Sequence, residues 1–323
     1  MGRRKAHGAR MSIYDHPDNP IPDGAVAGFI AAEDGRKLRV ARWVPTGSAK
    51  RGTVCVFQGR AEFIEKYYET VRDLLVRGFA VATLDWRGQG GSQRAFRNSR
   101  RGHVGDFADY GLDLEAFMSQ VVLPSCPPPY YALGHSTGAL ILLQQAPEMR
   151  TRFRRYVLTS PFLGLGDYGV SEPLARALSR VMAGVGLSRL YVLAGNGSSI
   201  YGQPFEGNRL TGDVDRYGRN QRITASLPSL SIGAPTIGWL RAAFRAMDDV
   251  LNPDFADRIR IPTLILASAA DRVVSPRAIE RFAITTKACH LVMMSGAEHE
   301  LLQEREAFRE QVWAGFDSFI PGS

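Results

Sequence analysis

The alternation of apolar and polar positions near the start of the chain predicts a β-hairpin. Residues 25–32 and 37–44 alternate between the two classes, and the segment 33–36 between them reads Glu-Asp-Gly-Arg. Such alternation places apolar side chains on one face of a strand, and Asp-Gly favours a tight turn. The two segments are therefore expected to pair as antiparallel strands.

After the hairpin, short apolar runs alternate with longer helical stretches. The runs predict strands at 53–57, 79–84, 130–134, 155–159, 263–268 and 290–294. Strands that alternate with helices form parallel sheets with right-handed crossovers. The sequence thus predicts an α/β fold with a mostly parallel central sheet and helices on both faces.

The regular alternation is interrupted between residues 161 and 245. We interpret 161–245 as a cap that is inserted into one α/β core, formed by residues 24–160 and 246–323. Residues 1–23 are interpreted as an N-terminal extension. A cap of this kind excludes water and shapes a substrate pocket.

The predicted cap is rich in glycine, with a helical segment at 172–185 and a polar stretch at 195–199. Its apolar side chains have two interpretations, the lining of a lipid tunnel or the core of the cap itself. The second is the commoner role for any single residue. The candidates are Phe162, Leu163, Leu165, Tyr168, Leu174, Leu178, Val181, Met182, Leu187, Leu190, Tyr191 and Leu193.

The composition fits one large domain with a basic surface. Apolar residues make up 45% of the 323 positions, which is ample for a single core. The formal net charge is +8, and a basic surface attracts anionic partners.

Arginine is concentrated in two segments that contain no acidic residue. The first holds Arg87, Arg94, Arg97, Arg100 and Arg101, and the second holds Arg150, Arg152, Arg154 and Arg155. A solvated basic face is the commoner explanation, although anionic phospholipid and nucleic acid also suit such segments. Because no nucleic-acid module or aromatic-basic repeat is present, we expect no nucleic-acid partner. Peripheral contact with an anionic membrane surface is the more coherent partner.

The three cysteines, Cys55, Cys126 and Cys289, are widely separated and match no zinc-site spacing. An odd number outside any disulfide framework indicates reduced core thiols in a cytosolic protein. The charged start has no apolar stretch after it, and no apolar run approaches the roughly 18 residues of a membrane-spanning helix. We therefore expect a cytoplasmic protein, with peripheral contact at the inner face of the membrane, and no metal or organic cofactor.

The pentapeptide Gly-His-Ser-Thr-Gly at 134–138 lies between a predicted strand and a helical stretch. A glycine-flanked serine in a strand-turn-helix context is a nucleophile elbow. Its glycines allow a tight turn, and the hydroxyl of Ser136 is exposed above the edge of the sheet. The alternative is a glycine-bracketed turn in which the serine has no role.

A serine hydroxyl needs a base to remove its proton and a further group to orient that base. In chains with such an elbow, the acid and then the histidine follow the serine, each in a loop after a strand. Asp271 follows the predicted strand 263–268, and His299 follows the strand 290–294. Sites in open α/β sheets are built at such strand ends. We therefore assign Asp271 as the orienting acid and His299 as the base.

The other histidines lie in less suitable contexts. His135 is inside the elbow beside the serine, His290 begins its strand, and His103 follows arginines in a connecting segment. His7 and His16 lie in the polar N-terminal segment. The rival aspartates, Asp248, Asp249, Asp254 and Asp257, all precede the strand. A structural histidine and a helix-capping aspartate remain the alternatives.

Acyl transfer also needs donors for the developing oxyanion, usually two backbone N–H groups. The residue after the nucleophile, Thr137, supplies the first. The loop between the strand 53–57 and the helical stretch 66–77 supplies the second, and there we assign the N–H of Arg60. The alternative is an ordinary strand-to-helix loop.

Several motifs together resemble the bacterial lysophospholipase branch of the α/β-hydrolases, which is related to monoacylglycerol lipases. They are Gln58-Gly59-Arg60-Ala61-Glu62, Lys66-Tyr67, Asp85-Trp86-Arg87-Gly88-Gln89-Gly90-Gly91-Ser92, Arg101-Gly102-His103-Val104, Asp106-Phe107 and the elbow. The similarity covers most of residues 25–320 and is densest from 57 to 140. Many members carry His-Gly in the oxyanion loop, where this chain has Gln58-Gly59.

The resemblance implies an α/β-hydrolase fold and hydrolysis of a carboxylic ester with a lipid-like acyl chain. We therefore predict a serine ester hydrolase, foremost a lysophospholipase, in which Ser136 attacks the ester carbonyl of a small lipid. A monoacylglycerol lipase or a broad short-chain carboxylesterase is the alternative among enzymes. A catalytically silent α/β-hydrolase that serves as a binding module is the alternative of another class.

Overall fold

The computed structural model describes residues 12–44, 51–97 and 100–321. Within these ranges, an 8-stranded sheet has the order β1-β2-β4-β3-β5-β6-β7-β8. The strands are β1 (Ala25–Ala31), β2 (Lys37–Trp43), β3 (Thr53–Phe57), β4 (Ala80–Leu84), β5 (Tyr130–His135), β6 (Arg155–Thr159), β7 (Thr263–Ser268) and β8 (Cys289–Met294).

The sheet is mostly parallel. β1 pairs with β2 and β2 with β4 in antiparallel fashion, and the other neighbouring pairs are parallel. The predicted hairpin is confirmed, with Ala25 opposite Trp43, and its turn contains Gly35 at a φ of 78°. A positive φ suits glycine, which has no Cβ. The predicted strands after the hairpin are also present, so the predicted α/β sheet is confirmed.

Helices connect the strands. They are α1 (Tyr68–Val76), α2 (Ala108–Phe117), α3 (Leu123–Ser125), α4 (Thr137–Gln144), α5 (Ala146–Met149), α6 (Glu172–Gly184), α7 (Val214–Ser226), α8 (Ile237–Leu251), α9 (Pro253–Ala256), α10 (Pro276–Thr285) and α11 (Glu306–Phe319). Helices α8 and α10 begin at side-chain caps, because the hydroxyls of Thr236 and Ser275 accept N–H groups of the first turn. Such caps satisfy donors that a helix leaves without an internal partner.

Helices cover both faces of the sheet. Cys55 and Phe57 of β3 belong to the core beneath α2, α4, α8 and α10, whereas Val54 and Val56 belong to the core beneath α1 and α11. Neighbouring residues of a strand point to opposite faces, so a strand between two helical layers is apolar throughout. This is why the central strands appear in the sequence as unbroken apolar runs.

The chain between β6 and β7 contains α6, α7 and α8. The helix predicted at 172–185 is confirmed as α6. Tyr201, Leu210, Tyr217, Ile223 and Leu230 form a small apolar cluster with Phe63 of the core. Helix α8 runs through residue 245, where the sequence predicts the end of the cap, and it packs against α4.

A buried ion cluster joins β2 to the loop after β4. Arg39 lies 2.7 Å from Glu65 and 2.6 Å from Asp85, and all three side chains are buried. Asp85 also accepts the N–H of Gly91 at 2.6 Å. A Cβ on Gly90 would lie 2.1 Å from the carboxyl carbon of Asp85. The glycine-rich loop of the Asp-Trp-Arg-Gly motif therefore encloses a carboxylate.

The three cysteines form no disulfide, since Cys55 and Cys126 are buried as free thiols and Cys289 is partly buried. In the part of the chain that the structure describes, no helix has the length and apolar character needed to cross a membrane.

Candidate active site

Ser136 lies in the sharp turn between β5 and α4. Its backbone has φ 51° and ψ −113°, a strained conformation for a residue with a Cβ. Two residues after the serine, close packing requires glycine at position 138. A Cβ on Gly138 would lie 2.5 Å from the carbonyl oxygens of Phe57 and Gln58. Gly138 thus allows α4 to approach the end of β3, which brings the elbow next to the loop that contains Arg60.

The structure brings the three residues assigned from the sequence into one hydrogen-bonded chain. His299 Nε2 lies 3.1 Å from Ser136 Oγ, and His299 Nδ1 lies 2.7 Å from Asp271 Oδ2. Asp271 follows β7 and His299 follows β8, at the carboxyl ends of parallel strands. A carboxylate only accepts hydrogen bonds, so Nδ1 donates to Asp271 and leaves Nε2 to accept the serine proton.

The local charges reinforce this arrangement. Burial disfavours a charged imidazole, but the charge of Asp271 and its hydrogen bond outweigh burial and raise the pKa of His299 above 6.5. Burial would raise the pKa of Asp271, yet His299 and the N–H groups of Val273 and Val274 hold that pKa below its usual value. Asp271 is therefore ionised at neutral pH and stabilises a proton on His299.

None of the other described histidines bonds the Ser136 hydroxyl, although one of them, His135, lies next to His299. His135 packs against His299, and its Nδ1 lies 3.0 Å from Thr159 Oγ1. Burial, only partly offset by Glu62, lowers the pKa of His135 to about 3, so it is neutral. His290 is in β8 beside Phe319, His103 bonds Thr236, and His16 pairs with Asn19; His7 lies outside the described residues.

The loop after β3 is fixed by neighbouring side chains. The N–H of Gly59 donates to Glu62 at 2.5 Å, and the N–H of Ala61 donates to Gln89 at 3.3 Å. Arg60 lies between these residues and lines the same cavity as Ser136 and Thr137. Thr137 is the first residue of α4, where N–H groups have no partner within the helix. The assignment of Arg60 and Thr137 as oxyanion donors stays a prediction.

A buried ionic network beneath the site was not predicted from the sequence. Lys66 Nζ lies 2.5 Å from Glu62 and 2.8 Å from Glu300, which follows His299 in the chain. Burial opposes ionisation of Glu62, but the charge of Lys66 and the hydrogen bonds from Lys66 and Tyr67 lower its pKa to about 2. The network links the loop after β3 to the loop that contains His299. Glu62 and Lys66 both occur in the motifs that carry the family resemblance, but the sequence alone assigned neither of them a role.

Ser136 and His299 open into a cavity of about 630 Å³. Six of the apolar cap candidates line it, namely Phe162, Leu165, Tyr168, Leu178, Met182 and Leu193. None of the apolar candidates belongs to the cluster around Phe63, whereas Phe162 and Leu163 are buried in the larger core beneath α2, α4, α8 and α10. The cavity therefore takes its apolar character largely from the chain between β6 and α8.

The first arginine segment does not form one surface cluster, which corrects the sequence interpretation. Arg87 is buried, 2.7 Å from Asp113 and 2.8 Å from Asp34. Arg94 donates to the carbonyl of Ser229 at 2.6 Å. Asp34 and Asp113 are distant in sequence, so the acid-free segment concealed these pairs. The members that remain for a surface role are Arg97, which is exposed, and Arg100 and Arg101, which are partly buried.

The serine of a strand-turn-helix elbow is hydrogen-bonded to a histidine, and that histidine is hydrogen-bonded to an aspartate. This arrangement, with the histidine and the aspartate at the ends of parallel strands, defines an α/β-hydrolase. The chain belongs to the serine aminopeptidase S33 family, whose model matches residues 48–306.

Individual relatives agree with this membership. Lysophospholipase L2 of Escherichia coli K12 is 35% identical over 267 residues, which cover 79% of this chain and 76% of that protein. Monoglyceride lipase of Rattus norvegicus is 25% identical over 276 residues, which cover 84% and 82%. The crystal structure of Paleococcus ferrophilus monoacylglycerol lipase has a TM-score of 0.69 at 22% identity and covers 88% of this chain and 99% of its own.

These comparisons confirm the predicted membership of the lysophospholipase and monoacylglycerol lipase branch of the α/β-hydrolases. They also confirm the predicted class of enzyme, a carboxylic ester hydrolase.

Proposed function

We propose that the protein hydrolyses the acyl ester of lysophospholipids, with Ser136 as nucleophile, His299 as base and Asp271 as the acid that orients the base. The observation that carries the proposal is the chain of hydrogen bonds from Asp271 through His299 to Ser136, at the wall of a mostly apolar cavity. The lipid class is supported by the lysophospholipases among the relatives.

In the first half of the reaction, Ser136 Oγ attacks the ester carbonyl and His299 Nε2 takes the serine proton. Asp271 stabilises the imidazolium that forms, and the N–H groups of Thr137 and Arg60 bind the developing oxyanion. The imidazolium then gives its proton to the departing glycerophospho alcohol, which leaves an acyl-serine. In the second half, His299 activates a water that releases the fatty acid.

The chain from residue 161 to the start of α8 is proposed to act as the cap. Its apolar side chains border the cavity, and the acyl chain would displace water from them. Exclusion of water strengthens the electrostatic interactions that stabilise the oxyanion. We place the end of the cap near Thr236, because α8 begins there and continues into the core.

The test of the proposed function is a panel of substrates with one acyl length. Decanoyl lysophospholipids, decanoylglycerol, decanoyl p-nitrophenyl ester and an aminoacyl anilide are compared by kcat/KM, all below their micelle concentrations. Highest kcat/KM for the lysophospholipids supports the proposal. Preference for decanoylglycerol would assign a monoacylglycerol lipase, and preference for the p-nitrophenyl ester would assign a broad carboxylesterase. Hydrolysis of the anilide alone would overturn ester hydrolysis as the function.

The acid limb of the pH profile should report the raised pKa of His299. Protonated His299 cannot act as base, so kcat/KM for a soluble ester should fall as pH falls through that pKa, with a midpoint above 6.5. Asp271→Asn removes the carboxylate that favours the imidazolium, and its residual activity should show a midpoint at lower pH. The measurement is kcat/KM against pH for both proteins. A wild-type midpoint well below 6.5 would contradict the proposed pairing of His299 with Asp271.

Peripheral contact with an anionic membrane is a second part of the proposal. Leu174, Leu178 and Val181 of α6 and Val185 directly after it are exposed at helical spacing, and α6 also borders the cavity. An exposed apolar stripe beside basic residues suits the interface of a bilayer. Lipid substrate would then enter the cavity from the membrane surface.

Binding to anionic vesicles should weaken as salt rises. An anionic surface attracts nearby cationic residues by about 1 kcal/mol per charge, over a Debye length of roughly 8–10 Å. Replacing Arg97, Arg100 and Arg101 with glutamine should weaken binding further and spare hydrolysis of a soluble short-chain ester. Cosedimentation with vesicles at low and high salt measures this. Equal binding by the triple variant would leave these arginines as an ordinary solvated face.

A further inference from the structure

The side chain of Arg60 places a cation at the wall of the catalytic cavity. Of the described residues that line this cavity, Arg60 alone is a lysine or an arginine. Its guanidinium lies 5.2 Å from the ring centroid of Trp239 and donates to the carbonyl of Gly233 at 2.6 Å. The Nε atom is buried and has no hydrogen-bond partner among the described residues. The guanidinium therefore has unused donor capacity.

Among the described residues, no acidic side chain neutralises the charge of Arg60. Arg39, Arg87 and Arg309 are buried, and each lies within ion-pair distance of at least two carboxylates. Across the described ranges, no carboxylate forms an ion pair with Arg60. Burial lowers the pKa of Arg60 to about 10, which still leaves it charged at neutral pH. A desolvated charge without a counterion is costly, so an anionic ligand would be favourable there.

The two acids of the cavity wall do not serve as that counterion. Glu62 and Glu300 are both held by Lys66, at 2.5 Å and 2.8 Å. The chain that passes beside the guanidinium is at Gly102, where a Cβ would lie 3.5 Å from Arg60 Nη2. Gly102 carries no charge, and the residue before it is Arg101.

We propose that the Arg60 side chain binds the phosphate of the lysophospholipid headgroup and so determines the preference for phosphate-bearing esters over neutral glycerides. This inference rests on the proposed function. A guanidinium presents a planar fork of donors that matches phosphate oxygens. The backbone N–H of the same residue is the predicted oxyanion donor, and only the glycerol unit separates the scissile ester from the phosphate. One residue thus addresses both groups of the substrate.

The test compares two substrates of the same acyl length, decanoyl lysophosphatidylglycerol and decanoylglycerol, both as monomers below their micelle concentrations. The readout is the ratio of their kcat/KM values. Arg60→Gln should lower this ratio by about tenfold to a hundredfold, mainly through KM of the phosphate-bearing ester, since a charge-assisted contact of this kind has that strength. Arg60→Lys keeps the charge without the fork, and the ratio should fall less.

Arg94→Gln is the matched control. Arg94 also donates to a carbonyl between β6 and β7, that of Ser229, but it does not line the cavity. Its variant should keep the wild-type ratio. An equal loss on both substrates in Arg60→Gln would overturn the proposal and assign Arg60 a packing role against Trp239.

Inhibition of the wild type by glycerophosphoglycerol, with glycerol as control, gives a readout that needs no variant. Stronger inhibition by the phosphodiester supports the proposal, and equal inhibition contradicts it. If the wild type does not hydrolyse the lysophospholipid, the proposed function fails. If it does so and the ratio is insensitive to Arg60, only the present inference fails.

Discussion

Ser136→Ala should lower kcat for a soluble ester by on the order of 10⁴ or more, because the members of a catalytic triad act as a unit. The variant removes the nucleophilic oxygen that lies 3.1 Å from His299 Nε2 and leaves the rest of the cavity intact. Its melting temperature should stay close to that of the wild type. Steady-state kinetics measures the loss. The protein concentration is determined by a method that does not depend on the active site.

Ser160 provides a matched control for Ser136. It is also buried, it also has a positive φ of 43°, and it follows the neighbouring strand β6. It does not line the cavity. Ser160→Ala should therefore retain turnover within a few-fold of the wild type. Near-native turnover by a folded Ser136→Ala protein would remove Ser136 from the mechanism.

His299→Ala should be nearly as damaging as loss of the serine, since no other side chain in the described structure bonds the Ser136 hydroxyl. Asp271→Asn should cost about 10²–10⁴ in kcat, because asparagine favours the wrong tautomer of the imidazole and lacks the charge that stabilises the imidazolium. The losses should appear in kcat rather than in KM, which separates chemistry from binding.

His290→Ala is the control for the histidine assignment. His290 lies in β8, where its ring contacts Phe319, and it reaches neither Ser136 nor Asp271. The variant should alter stability modestly and keep kcat. If His290→Ala silences the enzyme while His299→Ala stays active and folded, the base is misassigned.

The fold and the residues of the elbow could be predicted because their signals are local. The hairpin follows from alternation around Asp34-Gly35, and the turn at Ser136 follows from its two glycines. Asp271 and His299 are separated from Ser136 in sequence, but each comes directly after a strand. The parallel arrangement of β5, β7 and β8 then places all three residues at the same edge of the sheet.

The features that the sequence missed depend on contacts between distant segments. Arg87 appeared to belong to a basic surface, whereas it is neutralised by Asp34 and Asp113 from other elements. The predicted cap boundary at 245 lies inside α8, a single helix that packs on α4, and a helix that continues through this position gives no break in the sequence pattern there. Such pairings cannot be deduced from spacing along the chain.

The environment of Arg60 also depends on contacts between segments that are distant in sequence. Its backbone position was predicted from the strand-to-helix loop, but its side chain became informative only through its partners. Gly233 and Trp239 are far away in sequence, and both contact the guanidinium. The lack of an ion-pairing carboxylate among the described residues could be seen only in the folded chain.

The most direct test of the account is the position at which a serine-directed phosphonate reacts. The folded wild type is labelled, digested and analysed by tandem mass spectrometry, beside Ser136→Ala and Ser160→Ala. We expect one adduct per chain, on Ser136, in the wild type and in Ser160→Ala, and none in Ser136→Ala. An adduct on another residue would contradict the assignment of the nucleophile. A folded wild type that is not labelled at all would instead indicate a catalytically silent binding module.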